Sequence, residues 1–120
     1  MAENKNLTIG RKGEDLAIHF LKSNKYIITA HNFYSSFGEI DIIAKDNNTL
    51  VFVEVKTRTS NLTSALNSVS YAKQQKMIAT ASLYLNEHPE FENLATRFDV
   101  IAIIFKDNKY SLKHLKDAFI

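Results

Sequence analysis

Two short β-rich runs separated by an asparagine turn constrain the fold of this chain most. The runs are EIDIIAK at residues 39–45 and LVFVEVKTR at residues 50–58. β-branched and aromatic residues favour strands, and the asparagines of the intervening DNNT segment tolerate the left-handed conformations that tight turns require. The runs therefore predict an antiparallel hairpin in which the numbers of facing residues sum to 95.

The other extended segments are predicted from the same preferences. Residues 26–34 are β-branched and aromatic, and a turn over residues 35–38 leads from them into the hairpin. The run at residues 98–106 is almost entirely apolar, which is typical of a strand covered on both faces. Asp107-Asn108 then predicts a turn into a short last strand around residues 110–114.

Two segments have apolar residues at helical spacing. The first covers residues 10–24, with Glu14 and Asp15 in its first turn. The second covers residues 64–88, where Ser70 is a candidate N-cap that restarts the helix. The resulting order, α-β-β-β-α-β-β, predicts an α/β fold with one mixed central sheet flanked by helices.

Length and composition bound the class of protein. The 120 residues are predicted to form a single domain over residues 1–120. The absence of cysteine excludes disulfide scaffolds, thiolate nucleophiles and thiolate-bound metals. No apolar run approaches the roughly 20 residues of a membrane span, and the chain starts with polar residues, so we expect a cytoplasmic protein with no membrane partner. A net charge of +2 allows a polyanionic partner without demanding one.

The hairpin register brings two carboxylates together. Asp41 faces Glu54, and directly opposed Cβ atoms lie about 4.5–5.5 Å apart, so the two charges repel unless a cation lies between them. Carboxylate oxygens are ligands that Mg²⁺ accepts. Lys56 follows Glu54 by two residues and projects from the same face, where it can orient an attacking water or stabilise charge on a phosphate.

A structural interpretation of the same residues stays open. In this register Glu39 faces Lys56, and Asp41 can pair with Lys56 diagonally, so alternating charges on a solvated sheet face also explain the pattern. The surrounding residues favour a functional site, because these charges are embedded in strongly apolar strands, where unpaired ions are costly.

The chain also resembles a known family at four motifs. These are GRKGEDLA at residues 10–17, GEID at residues 38–41, FVEVKTR at residues 52–58 and RFDV at residues 97–100. They resemble the YraN-type proteins, predicted nucleases of the restriction-endonuclease-like PD-(D/E)xK superfamily that are related to archaeal Holliday-junction resolvases. The resemblance covers nearly the whole chain, and the core order of that superfamily is α-β-β-β-α-β.

The resemblance implies a role for each matching residue. Asp41 and Glu54 would be metal ligands, Lys56 the catalytic lysine, and Glu14 a further acidic ligand from the first helix. Ile40 stands where the superfamily pattern has proline before the first aspartate. The implied activity is that of a Mg²⁺- or Mn²⁺-dependent endonuclease on branched or structured DNA, acting as a homodimer because two cuts call for two sites.

Two alternatives to a nuclease follow from the same residues. One is a non-catalytic nucleic-acid-binding or interaction module that retains the nuclease fold, which the modest net charge favours. The other is a purely structural carboxylate network. We also expect the Arg97–Asp99 pair to anchor a buried strand rather than to act in catalysis.

Six further residues are candidates for contact with nucleic-acid phosphates. Cations and a helix N-terminus both attract anions, although a solvated surface explains such residues equally well. The candidates are Arg11 and Lys12 before Glu14, Arg58 after the motif strand, and Lys73, Gln74 and Lys76 early in the second helix.

Overall fold

The computed structural model describes residues 5–59 and 69–119, in which helices flank a five-stranded sheet. The helices are α1 (Lys5–Ser23), α2 (Tyr71–Glu87) and a short 3₁₀ helix at Pro89–Phe91. The strands are β1 (Ile27–Tyr34), β2 (Glu39–Asp46), β3 (Thr49–Arg58), β4 (Ala95–Lys106) and β5 (Lys109–Phe119). This confirms the predicted α/β fold and its restriction-endonuclease-like element order.

The strands lie in the sheet in the order β1-β2-β3-β4-β5. All neighbours are antiparallel except β3 and β4, which are parallel from Thr49↔Ala95 to Arg58↔Ile104. Parallel neighbours require a crossover connection, and α2 lies in it. The sheet is therefore mixed, as predicted.

The core has two layers, one on each face of the sheet. On one face α1 packs through Ala17 and Leu21 against β2, β3 and β4. On the other face α2 packs through Met77, Ala81 and Tyr84 against apolar residues of the same strands. The run from Phe98 to Ile104 in β4 is buried throughout, which confirms the prediction of a strand covered on both faces.

The predicted hairpin register is confirmed over five residue pairs, from Asp46↔Thr49 to Ile42↔Val53. Asn47 in the turn has a φ of 53°, the left-handed conformation that asparagine tolerates. The ladder ends one pair before Asp41 and Glu54. At that point Asp41 Oδ2 accepts a hydrogen bond of 2.8 Å from the Val55 amide, so the carboxylate takes the place of a backbone partner.

The beginning of α1 differs from the prediction. The helix begins by Lys5 rather than at Gly10, because an isolated glycine is tolerated inside a helix at modest cost. Glu14 is therefore not in the first turn, and Arg11 lies within the helix. No helix in the described ranges has both the length and the hydropathy to cross a membrane.

The lengths of α2 and β5 differ from the predicted lengths. Ser70 is the N-cap of α2, and its Oγ accepts a hydrogen bond of 3.2 Å from the Lys73 amide, as predicted. The predicted helical residues 64–68 lie outside the described part of the chain. The last strand is not short. It extends to Phe119, because its pairing with buried β4 decides its length although most of its side chains are polar.

Candidate metal centre

Three carboxylates from two elements converge at one end of the sheet. Glu14 comes from α1, and Glu39 and Asp41 come from the start of β2. Each offers an oxygen atom, and these oxygens all lie within 4.8 Å of one another. All three residues are half-buried. The packing of α1 across the sheet therefore completes a cluster that neither element has alone.

A glycine sets how closely α1 approaches the site. A Cβ atom at Gly13 would collide with Thr57 Oγ1 and would lie 3.2 Å from Thr57 Cβ. Only a residue without a side chain permits this distance between the helix and β3. Because Glu14 follows Gly13 directly, the close approach brings its carboxylate to the cluster.

Two acids of the cluster, Asp41 and Glu14, have pKa values raised above the ordinary carboxyl range. Burial, followed by the neighbouring charge of Glu54, raises the pKa of Asp41 to about 8, although the hydrogen bond from the Val55 amide acts in the opposite direction. The pKa of Glu14 is also raised, first by burial and then by Glu39. A cation placed among these carboxylates would favour their charged forms.

Glu54 is buried and only partly satisfied. The residue as a whole is 4% exposed. Its Oε1 atom lies 3.3 Å from Lys56 Nζ and 3.7 Å from Lys73 Nζ. Its Oε2 atom is buried and has no hydrogen-bond partner among the described residues. Buried carboxylate oxygens are normally paired, so the unpaired Oε2 is a candidate ligand atom.

One surface cavity of about 540 Å³ lies at the candidate metal centre. Its lining includes all four predicted catalytic residues and one predicted phosphate contact: Glu14, Asp41, Glu54, Lys56 and Arg58. Arg58 Nη1 donates a hydrogen bond of 2.9 Å to the Thr57 carbonyl. The structure therefore brings to one place residues that are up to 44 positions apart in the sequence, from Glu14 to Arg58.

The other predicted phosphate contacts lie in different places. Lys73 reaches Glu54, so it belongs to the site. Gln74 donates a hydrogen bond of 3.2 Å to the Val69 carbonyl and closes the first turn of α2. Lys76 and Arg11 are exposed. Lys12 is also exposed and lines a second cavity beside the β4–β5 turn.

Sequence reasoning missed one acid of the site, Glu39, and one contact, that of Lys73 with Glu54. The predicted register pairs Glu39 with Lys56, but the β2–β3 ladder ends before Glu39 is reached. Glu39 pairs instead with Tyr34 in β1. Its two-residue spacing from Asp41 was the available signal, because such residues share a face of a strand. The contact between Lys73 and Glu54 had no local signal, since it depends on where α2 packs.

A second buried carboxylate, Asp99, is fully compensated. Arg97 donates to both of its oxygens at 2.9 and 3.0 Å, His114 Nε2 lies 2.7 Å away, and the Asp117 amide donates at 2.9 Å. Burial acts to raise the pKa of Asp99, but the hydrogen bonds from His114 and Arg97 outweigh it and lower that pKa. The structural ion pair predicted for Arg97 and Asp99 is confirmed.

The donor set fits a hard divalent cation. All candidate ligand atoms are carboxylate oxygens, which suit Mg²⁺ and Mn²⁺, and the described residues contribute no thiolate. The unpaired Oε2 of Glu54 is a further carboxylate oxygen that such a cation could use. The residues present therefore fit the metal that the sequence predicts.

The fold and site together define a mixed α/β protein that has a restriction-endonuclease-like element order and an acidic candidate metal centre. The chain belongs to the uncharacterised protein family UPF0102, whose model matches residues 13–103. It is 43% identical over 115 residues to a UPF0102 protein of Francisella tularensis subsp. novicida (strain U112), covering 94% of this chain and 95% of that protein. It is also 43% identical over 117 residues to a UPF0102 protein of Clostridium botulinum (strain Hall), covering 95% of each chain. The family-level part of the predicted resemblance is thereby confirmed.

Proposed function

We propose that this protein is a metal-dependent nuclease that hydrolyses phosphodiester bonds in DNA. The observation that carries the proposal is the convergence of Glu14, Asp41, Glu54 and Lys56 on one cavity. Separated acids and a lysine meet there in a site with too little positive charge of its own. A polyanionic substrate could enter such a site only with a bound cation.

Asp41, Glu54 and Glu14 would hold Mg²⁺ or Mn²⁺, and Glu39 is close enough to Asp41 to act as an additional ligand. When bound, the metal supplies Lewis-acid polarisation of the phosphate and a bound water of lowered pKa. The protein contributes the positions of the ligands. The Val55 amide orients Asp41, and the packing of Gly13 on Thr57 orients Glu14.

Two lysines hold Glu54 in place. Both ammonium groups lie at Oε1, which leaves Oε2 as the oxygen available to the metal. Lys56 also lines the cavity, so its Nζ can hold the attacking water or stabilise the charge that develops on the phosphate. Arg58, on the same face of β3, is placed to contact a neighbouring phosphate.

The resemblance to junction resolvases supports branched or structured DNA as the substrate. It also supports a homodimer, because one chain with one site makes one cut and opposed strands require two. We place this activity in the cytoplasm.

The test is cleavage of a labelled panel of single strand, duplex, flap and four-way junction with Mg²⁺, Mn²⁺ or EDTA. Wild type is compared with Asp41→Asn, Glu54→Gln and Lys56→Ala. Glu87→Gln is the matched control, because Glu87 is an exposed glutamate at the far end of α2, about 21 Å from Lys73 at 1.5 Å per residue.

We expect metal-dependent cutting by wild type and Glu87→Gln. Each site variant should lose a factor of about 10² to 10³ or more, the usual loss when one charge-stabilising group is removed. Undiminished cutting by Asp41→Asn would show that the catalytic assignment is wrong. Binding in EDTA with no cutting under any metal would instead support the non-catalytic module.

A further inference from the structure

A second surface cavity of about 380 Å³ lies beside the candidate metal centre. Its charged lining consists of three lysines and one aspartate: Lys12, Lys106, Lys109 and Asp107. Ile9 of α1 lines this cavity and also the cavity of the metal centre, so the two are adjacent. We call Lys12, Lys106 and Lys109 the basic surface.

The basic surface carries an electrostatic cost. Lys106 and Lys109 face each other directly across the β4–β5 ladder. Asp107 and Asn108 between them have φ values of 51° and 60°, so a tight two-residue turn holds the lysines opposite each other. Like charges directly opposed on a sheet are destabilising.

No ion pair among the described residues compensates this cost. Across residues 5–59 and 69–119, the ion pairs use Lys56, Lys73, Arg97 and two histidines, but none of the three lysines of the basic surface. Asp107 is the one acid on the cavity lining. An external anion would relieve the repulsion between the lysines.

The strand register connects this surface to the metal centre. Lys56 and Arg58 lie on the same face of β3, and their partners in β4 are Ala102 and Ile104. The next residue of β4 on that face is Lys106, about 7 Å beyond Ile104 at 3.3–3.4 Å per residue. A row of cations therefore leads from the metal centre through Arg58 to the β4–β5 turn.

We infer that the basic surface binds the sugar-phosphate backbone of the nucleic acid next to the phosphate at the metal centre. This inference rests on the proposed function in taking nucleic acid as the ligand. The charges on one DNA strand recur about every 3.4 Å along the axis, so the step of about 7 Å from Ile104, the partner of Arg58, to Lys106 corresponds to about two phosphates. Lysines bind phosphates as point charges, and the contact is therefore independent of base sequence.

The experiment measures binding of a fluorescent DNA duplex and a four-way junction in EDTA over a range of salt concentrations. The variant is Lys106→Gln/Lys109→Gln, and the matched control is Lys22→Gln/Lys25→Gln. These control lysines are exposed at the other end of α1, where Lys22 is about 15 Å from Lys12. A single Lys12→Gln variant tests the same surface from a different element, and thermal unfolding verifies that every variant is folded.

Each phosphate contact contributes about 0.9 to the slope of log K against log salt on duplex DNA. We expect the slope to fall by about 1.8 in Lys106→Gln/Lys109→Gln and by about 0.9 in Lys12→Gln, while the control changes it little. At about 50 mM salt, the affinity of the double variant should fall by about tenfold or more.

The inference is overturned if the double variant binds like wild type, or if wild type does not bind either probe. Cleavage by wild type in Mg²⁺ separates this inference from the proposed function. Cutting with no loss of binding in the variant would refute the basic surface and leave the nuclease intact. Loss of binding in the variant without any cutting by wild type would support the basic surface and refute the nuclease.

Discussion

Two buried carboxylates, Glu54 and Asp99, lie on neighbouring strands and differ in how their charge is compensated. Glu54 in β3 pairs with Val100, the residue that follows Asp99 in β4. Side chains alternate along a strand, so Glu54 projects on the α2 side and Asp99 on the α1 side of the sheet. Two carboxylates are thus buried at adjacent positions on opposite faces of the sheet.

The difference between them is charge compensation. Asp99 is 0% exposed, and its two oxygens have partners in Arg97, His114 and the Asp117 amide, which lower its pKa. At the metal centre, Asp41 has one amide donor and a pKa raised to about 8, and Glu54 has an oxygen without a partner.

This contrast distinguishes a carboxylate that the protein compensates from carboxylates that have too few partners. The protein itself compensates Asp99, because an uncompensated buried charge costs several kcal/mol. Asp41 instead avoids that cost by keeping its proton up to a raised pKa of about 8, and the proposed metal would favour its charged form. The predictions below test each half of this comparison, from the largest expected effect to the smallest.

Asp99→Asn should destabilise the fold by about 3–5 kcal/mol, because it leaves Arg97 and His114 without their buried counter-charge. Urea unfolding measures the effect, which added Mg²⁺ should not alter. The matched control is Asp46→Asn. Asp46 lies 3.6 Å from the same arginine, but its side chain is 27% exposed, so the loss should stay below about 1 kcal/mol. Equal losses in the two variants would contradict the structural role of Asp99.

Gly13→Ala should destabilise the fold by about 1–3 kcal/mol, because the added methyl group forces α1 away from Thr57. The same shift moves Glu14, so Mg²⁺ affinity should fall as well. Gly10→Ala is the control, since a Cβ there meets nothing within 4 Å and alanine is the better helix former. Calorimetric melting and metal titration check both variants, and unchanged Mg²⁺ binding by Gly13→Ala would contradict the positioning of Glu14 by this contact.

Asp41→Asn should stabilise the metal-free protein at pH 8 by about 1 kcal/mol or more, since one pKa unit corresponds to about 1.4 kcal/mol. The amide oxygen can still accept the hydrogen bond from Val55. The pKa of Asp41 is raised from 3.8 to about 8, so the folded state holds a proton that the unfolded state releases. The contribution of Asp41 is therefore fully present below about pH 4 and is lost as the pH rises through about 8.

The lowered pKa of Asp99 gives the opposite slope, because its contribution is present above the unfolded pKa and is lost as the pH falls through the folded value. Denaturant unfolding from pH 4 to pH 9 in EDTA should show that Asp41→Asn removes the fall in stability between about pH 4 and pH 8. A stability profile of Asp41→Asn identical to that of wild type would contradict the raised pKa.

Ser70→Ala should destabilise the fold by about 1 kcal/mol, because the side-chain cap of α2 is lost, whereas Ser70→Gly should cost only a few tenths. Lys73 donates its amide to this cap and places its ammonium group beside Glu54. The alanine variant should therefore also change metal affinity slightly. A chemical melt measures the first effect and a Mg²⁺ titration the second, and equal stabilities of the two variants would argue against the cap.

The local features of the fold were predictable from the sequence. The hairpin register depends on a turn and on the two-residue period of strands, and both can be read over a few residues. The order of helices and strands also follows from periodicity. The same local pattern places Lys56 and Glu54 on one face of β3, and in the structure Lys56 Nζ lies 3.3 Å from Glu54 Oε1.

The site as a cluster depended on packing between distant elements. The sequence alone determined the fold class, the facing of Ile42 with Val53 and a set of acids and lysines with the chemistry of a metal site. Only the tertiary structure decided that Glu39 joins Asp41, that Lys73 reaches Glu54, and that Lys12 meets the β4–β5 turn. These contacts join elements far apart in the chain, so their geometry depends on how α1 and α2 pack on the sheet, which no local pattern specifies.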